Sequence, residues 1–217
     1  MPTKNLTLHI EPTFQQFRVH TGRGPLIKQY LERAFKVAHH ALEIHPRTFA
    51  IRVDLHFPDN MTQYDKNVIT RFFTSLKEQL KHNREQATKK NRYAHQSSVN
   101  YVWCKELGQC GKKPHYHVLI LLNADAFDTL GHPTSTKDNM AARIKIAWLR
   151  ALGYDERQYM QAIGTLIHFC ENGTYKVSKY HDNDTLAELL YRLSYFCKVD
   201  TKDFTLYEHP FGCSRMK

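Results

Sequence analysis

Of all its stretches, Phe49 to Phe57 most constrains how this chain can fold. From position 51 onward Ile51, Val53, Leu55 and Phe57 alternate with Arg52, Asp54 and His56. Side chains two apart on a strand share a face, so the pattern specifies a strand with one face buried. Pro58-Asp59-Asn60 ends it. A strand needs partners, and the sequence offers several. Val99 to Cys104 and Tyr116 to Leu122 read as two strands joined by a turn-rich link holding Gly108, Gly111 and Pro114, and so as antiparallel neighbours. Thr165 to Cys170 and Tyr175 to Ser178 read as a hairpin across Glu171-Asn172-Gly173-Thr174, with Asn-Gly as the turn signal.

Helical patterns lie between these strands. Leu26, Tyr30, Leu31, Ala34, Phe35, Ala38, Ala41 and Leu42 recur at helical spacing and stop before His45-Pro46. Residues 63–85 present Val68, Ile69, Phe72, Phe73, Leu76 and Leu80 as one stripe. Met140, Ile144, Ala147, Trp148 and Leu152 mark a third helix closed by Gly153, and Asp184 caps a fourth predicted over Thr185 to Lys198. Trp103 and Trp148 are most simply core. Hairpins outnumber β-α-β crossovers, so the expected class is α+β: a central antiparallel sheet of about five strands flanked by helices. The 217 residues divide into an N-terminal helical extension, residues 1–45, and a main domain, residues 46–217.

The longest aliphatic run, Val118 to Leu122, is far too short to cross a bilayer, and residues 1–13 lack the apolar stretch of a secretory signal. Five cysteines without a C-x-x-C pair fit a reducing compartment. A soluble, cytoplasmic protein with no membrane partner is therefore expected. Lys and Arg number 31 against 21 Asp and Glu, a formal charge of +10, and residues 1–110 hold 17 of the basic and only 9 of the acidic side chains. A field of that sign recruits polyanions, nucleic acid above all. Lys77 to Arg92 carries six basic residues and two acidic ones. Its end, with Lys89, Lys90, Arg92 and Tyr93, reads either as a DNA clamp in which Tyr93 stacks on a base or as an ordinary solvated helix end.

The stretch that carries chemistry runs from Glu106 through a glycine-containing turn to His115-Tyr116-His117 and the aliphatic strand behind them. His115 and His117 project side by side from one strand face and suit one divalent metal. Glu106, placed where the preceding strand ends, supplies a carboxylate if the link folds back. Two nitrogens and one oxygen leave positions open, as a catalytic centre requires. Lys112 and Lys113 adjoin this motif and are better placed than the 77–92 stretch to meet a substrate phosphate. In the last helix, at about 100° per residue, Leu186, Leu189, Leu190, Leu193, Phe196 and Cys197 make one apolar stripe. Tyr191, Tyr195 and Lys198 fall together on the other side.

This combination resembles the HUH endonucleases, in which a His-hydrophobic-His strand binds metal and one or two tyrosines on a late helix attack DNA. The Tyr191-x-x-x-Tyr195-x-x-Lys198 spacing is similar to two-tyrosine initiators, and the likeness over roughly residues 45–215 is nearest to the rolling-circle replication initiators of filamentous phages and related prophages. The resemblance implies Mg²⁺ or Mn²⁺ on His115, His117 and Glu106, acting on single-stranded DNA or an origin hairpin in a bacterial host cell. It implies attack by Tyr191 or Tyr195 to give a 5′-phosphotyrosine link and a free 3′-OH, with Lys198 at the phosphate. There is no Walker A sequence, so helicase and polymerase would come from the host.

Other readings compete. A transposase or relaxase would use the same chemistry, although relaxases carry a three-histidine cluster and single-strand transposases are shorter. A basic DNA-binding regulator that lost catalysis is the non-enzyme alternative. A structural zinc site on Cys104, Cys110, His115 and His117 has an unusual spacing, and Cys104 is expected on the other strand face from Glu106's neighbours. A cupin-type site fails because positions 118–122 are all aliphatic. Asp54 either approaches the metal or is simply the outward residue of its strand, and the second is favoured.

Overall fold

Strands and helices follow one another as the two hydrophobic periods dictate. The computed structural model describes residues 5–108, 112–135, 138–155, 162–181, 183–200, 202, 204 and 210–216, the Lys112 side chain excepted. The elements are β1 (Leu8–His9), β2 (Thr13–Phe14), β3 (Phe17–Arg18), β4 (Leu26–Ile27), α1 (Lys28–Ile44), β5 (Arg47–His56) and α2 (Val68–Lys90). After them come β6 (Asn100–Gly108), β7 (Lys112–Asn123), α3 (Met140–Leu152), β8 (Ile167–Ser178), α4 (Asn183–Ser194) and β9 (Phe211–Cys213). The fold is α+β: among the described residues an antiparallel sheet of five strands runs in the order β8-β5-β7-β6-β9, with four helices around it. β7, which carries His115 and His117, is the central strand.

The two faces of this sheet are covered differently. Ile51, Val53 and Leu55 of β5 and Val118, Ile120 and Leu122 of β7 pack under α2 and α3, against Phe72, Leu76, Ile144 and Trp148. Trp148 is fully buried, lies edge-on to Phe57 and Phe72, and donates its indole N–H to the His56 carbonyl at 2.9 Å. On the opposite face Ala50, Val102, Leu119 and Leu121 meet Phe35, Ala38, Leu190, Leu193 and Phe196. These come from α1, from α4 and from the 3₁₀ turn Tyr195–Cys197 that follows it. α3 is capped as its sequence dictates: Asn139 accepts the Ala142 N–H at 2.8 Å, and Gly153 closes the helix in the left-handed region at φ 81°.

Several elements depart from the sequence reading. The expected hairpin at 165–178 is one strand, β8, and both of its halves pair with β5. Cys170 to Gly173 stand opposite the single residue Arg52, a bulge that lets Asn172 take φ 50°. Asn-Gly thus made a bulge where a turn was expected, because β5 offers pairing on both sides of it. The sheet keeps five strands because β9, three residues with no alternation, joins the edge at β6. α2 starts later than expected, since Asp65 takes the Asn67 N–H at 2.7 Å in a turn, and it runs on to Lys89 and Lys90, whose charges suit a helix C-terminus. The last helix ends at Ser194, and Lys198 lies just past the 3₁₀ turn.

Candidate functional site

Register builds the centre. Pairing sets His56, His115 and Glu106 in one row across β5, β7 and β6, and Asp54, His117 and Cys104 in the next. All six side chains leave the sheet on the face that carries α1 and α4, at the end where the apolar cover stops. Glu106 is not at a strand end, as expected, but inside β6, which continues to Gly108, and its direct register partner is His115. The two imidazoles meet at right angles with Nε2 atoms 3.2 Å apart, and Glu106 Oε2 lies 3.5 Å from His117 Nε2. Donor atoms of Glu106, His115 and His117 all fall within 4.8 Å of one another.

Asp54 belongs to this centre, which corrects the expectation that it is simply an outward residue. Its Oδ1 accepts from His117 Nδ1 at 2.6 Å. That contact fixes the ring and leaves Nε2 directed at Glu106 and His115, the arrangement that metal-ligating histidines adopt. Burial holds His115 down to about 4, helped by the neighbouring His117 and His56, so it is neutral and ready to coordinate near neutral pH. Burial also works against charge on His117, but hydrogen bonds to Asp54 and Glu106 outweigh it and raise its pKa. Asp54 is desolvated as well, yet the His117 contact and the charge of Arg52 hold its carboxyl below the usual range. The donor set, its closeness and the Asp54 contact together fit a divalent ion.

Glu106 is buried, and two ammonium groups reach it: Lys198 Nζ at 3.1 Å from Oε2 and Lys202 Nζ at 3.4 Å from Oε1. Sequence reasoning missed Lys202, which lies in the irregular segment after α4 and has no periodic signal. The Cys104 thiol points at Glu106 Oε1 from 3.7 Å, so it shares the face of Glu106, contrary to expectation. Burial pushes that thiol up to about 12, and it stays protonated. Cys110, the other cysteine of the zinc alternative, lies outside the described residues.

The tyrosines come next to this centre. Lys198 Nζ donates to the Tyr195 hydroxyl at 2.6 Å, and the Tyr195 ring centroid is 5.7 Å from that of His117. Lys198 is therefore not a surface cation at a helix end; it is buried between the phenol and Glu106, and both partners raise its pKa against the desolvation that lowers it. Tyr191, more exposed, stands at the mouth. The N-terminal segment, which carried no functional signal, supplies the other side. The His20 ring lies 5.4 Å from each tyrosine ring, Arg18 sits over Tyr191 at 5.6 Å, and Arg23 sits over Tyr195 at 5.9 Å. A cleft of about 850 Å³ opens here, lined by Arg23, Arg52, Lys176, Arg192, Tyr175, Tyr191 and Tyr195, with Glu188 as the one acidic residue among the described residues that line it.

The remaining candidates lie elsewhere. Lys113 Nζ is bound to the Pro58 carbonyl at 3.1 Å and to Asp59 at 2.9 Å, which ties β7 to the turn after β5. The Lys112 side chain lies outside the described residues. Lys89 and Lys90 end α2, on the other face of the sheet, and Arg92 and Tyr93 follow them, with the Arg92 guanidinium 4.6 Å from the Tyr93 ring. The chain re-enters the sheet from there at Asn100, the end of β6 away from Glu106. The structure does not bring these four residues to the histidines.

Sequence comparison places the chain in a family. The YagK/YfjJ C-terminal domain model matches residues 10–214, across the 45/46 boundary, and the chain belongs to that family. Two relatives come from Escherichia coli K12: "Uncharacterized protein YfjJ", 31% identical over 88% of this chain and 96% of its own, and "Uncharacterized protein YagK", 30% identical over 89% and 96%. No solved structure matches. Among the described residues no helix is long and apolar enough to cross a membrane.

Proposed function

We propose that this chain is a metal-dependent single-strand DNA nickase and strand transferase of the HUH type that initiates rolling-circle replication. One observation carries the reading: the Tyr195 hydroxyl, Lys198, Glu106 and the His115–His117 pair form one continuous set of contacts. His115, His117 and Glu106 would hold Mg²⁺ or Mn²⁺, which when bound supplies Lewis-acid polarisation of a phosphate oxygen. The rest is done by the chain's own groups. A tyrosine oxygen attacks phosphorus, the P–O3′ bond breaks, and the phenol's proton ends on the 3′-oxygen. One phosphodiester replaces another, so no nucleotide cofactor is needed, and the reverse step rejoins a strand. The Lys198 ammonium, donating to the Tyr195 oxygen, stabilises negative charge there as the attack begins. The cationic, tyrosine-lined cleft suits a sugar–phosphate chain with a base stacked on an aromatic ring.

A second reading has its own support. Glu106 already carries two ammonium partners, so its charge is compensated without an ion, as in a DNA-binding regulator on this fold. Incubation with single-stranded origin oligonucleotides and Mn²⁺ separates the two. The nickase gives a covalent protein–DNA adduct that disappears in the Tyr191→Phe, Tyr195→Phe double variant. Tight binding without any adduct under Mg²⁺ or Mn²⁺ favours the regulator, and an adduct that survives the double variant removes the tyrosine assignment.

A further inference from the structure

Beside the histidine pair lies a second group of potential metal ligands, of which the centre described above uses only Asp54. Asp54 of β5 and His168 of β8 are register partners, and Cys170 follows two residues later on the same face. Donor atoms of the three lie within 4.8 Å of one another. Strand alternation alone puts the thiol on the face of His168 and Asp54. Cys170 to Gly173 are four residues set against Arg52 alone, so the bulge begins at the thiol.

The bulge is also held firmly. A Cβ on Gly173 would stand 2.7 Å from the Cys170 carbonyl and 3.0 Å from that of Arg52, so the backbone closes tightly there. Arg192 of α4 donates to the carbonyls of Glu171 and Asn172, each at 3.0 Å. Cys170 is a free, half-buried cysteine, and His168 is exposed, so an ion has a route in from solvent. One sulfur, one imidazole nitrogen and one carboxylate oxygen make a mixed set with a position left for water. Zn²⁺ and its congeners accept such a set, whereas Mg²⁺ prefers all-oxygen ligands and keeps its waters.

We propose that Asp54, His168 and Cys170 form a second, thiolate-containing site for a Zn²⁺-class ion, which shares the Asp54 carboxylate with the His115–His117 centre. Binding exchanges the Cys170 S–H bond for a metal–sulfur bond and releases the proton to solvent. The ion pins the β8 bulge to β5, and with it Asn172 and Thr174, which line the tyrosine cleft. The site stands whether or not the chain cuts DNA.

Co²⁺ titration of the reduced full chain tests it, because a Co²⁺–thiolate bond gives a near-ultraviolet charge-transfer band that imidazole and carboxylate ligands do not. The band is expected in the wild type and in His115→Ala, and absent from Cys170→Ser. His168→Ala changes only an exposed side chain, and it is expected to weaken Co²⁺ binding at least about tenfold with the fold intact. Absence of the band from the wild type, its survival in Cys170→Ser, or its loss in His115→Ala would each overturn the proposal. The adduct assay reads the nickase separately, so either idea can fail alone.

Discussion

A single strand, β5, faces two environments. Its odd-numbered side chains Ile51, Val53 and Leu55 are fully buried in an apolar layer beneath α2 and α3. Its even-numbered Asp54 and His56 stand beside Glu106, His115 and His117, on the face that Lys198 and Lys202 close over. The first layer is held by area: each large apolar side chain removed from water contributes about 1.5–3 kcal/mol, with no need for an exact partner. The second is held by pairing, and a buried charge without its partner costs more than the pair gains. Substitutions on the first face should therefore lower stability and leave ion binding alone, and substitutions on the second should remove ion binding and cost stability in proportion to the charge they unpair.

The strongest test on the apolar side is Trp148→Ala. It removes the largest fully buried side chain and the hydrogen bond to the His56 carbonyl. Urea unfolding should show a loss of about 3–5 kcal/mol. Mn²⁺ affinity of the protein that remains folded should be unchanged, and a large fall would mean that the two faces are not separable.

Glu106→Gln is the counterpart on the polar side. The amide keeps the shape but leaves the ammonium groups of Lys198 and Lys202 without the carboxylate's charge. A stability loss of about 1–3 kcal/mol is expected, together with the loss of Mn²⁺ binding by calorimetry. Adding Lys202→Met to that variant takes away one stranded ammonium, and it should recover part of the stability and none of the binding. Recovery of both would place the ion somewhere other than Glu106.

The pH response sharpens the same contrast, because the titrating groups sit on the polar face. His117 has a raised pKa from its contacts with Asp54 and Glu106. Its protonated form therefore adds stability that is fully present below its ordinary value of about 6.5 and is lost as pH rises through the raised value. The metal-free protein should melt at a lower temperature as pH rises through this range, and His117→Gln should flatten the trend. Mn²⁺ must displace the same proton, so its affinity should move the other way, rising about tenfold per pH unit on the acid side and levelling off above it. An apo melting temperature that ignores His117→Gln would remove the raised value.

The two sides of β5 were not equally legible in the sequence. Alternation at 51–57 and the helical stripes fixed which residues are apolar and where they point, since burial follows period alone. His115 and His117 were legible because two residues apart on a strand needs no knowledge of partners. Asp54 was visible as the same kind of residue, but only the pairing of Asp54 with His117 shows that it belongs to the centre, and register between distant strands is not written in either strand alone. Lys202 and His20 lie in short or irregular segments with no period to read. The Asn172-Gly173 signal was read as a turn because local chemistry is the same for a turn and a bulge, and β5, more than a hundred residues earlier, decides between them.

The smallest effect is expected at the end of α2, where the basic stretch reads either as a DNA clamp or as an ordinary solvated helix end. Lys89 and Lys90 close a helix on the apolar side. The chain enters β6 from there at Asn100, and six residues at about 3.4 Å each put Glu106 about 20 Å further along the strand. Lys89→Ala with Lys90→Ala should therefore alter stability by no more than about 0.5 kcal/mol and leave the salt dependence of oligonucleotide binding as it was. Arg23→Ala with Lys176→Ala, in the cleft, removes two phosphate partners and should reduce the magnitude of the slope of log K against log salt by about 1.4. If the lysine pair changes the slope and the cleft pair does not, the strand runs over the face of the sheet that carries α2, and the division of labour between the faces is reversed.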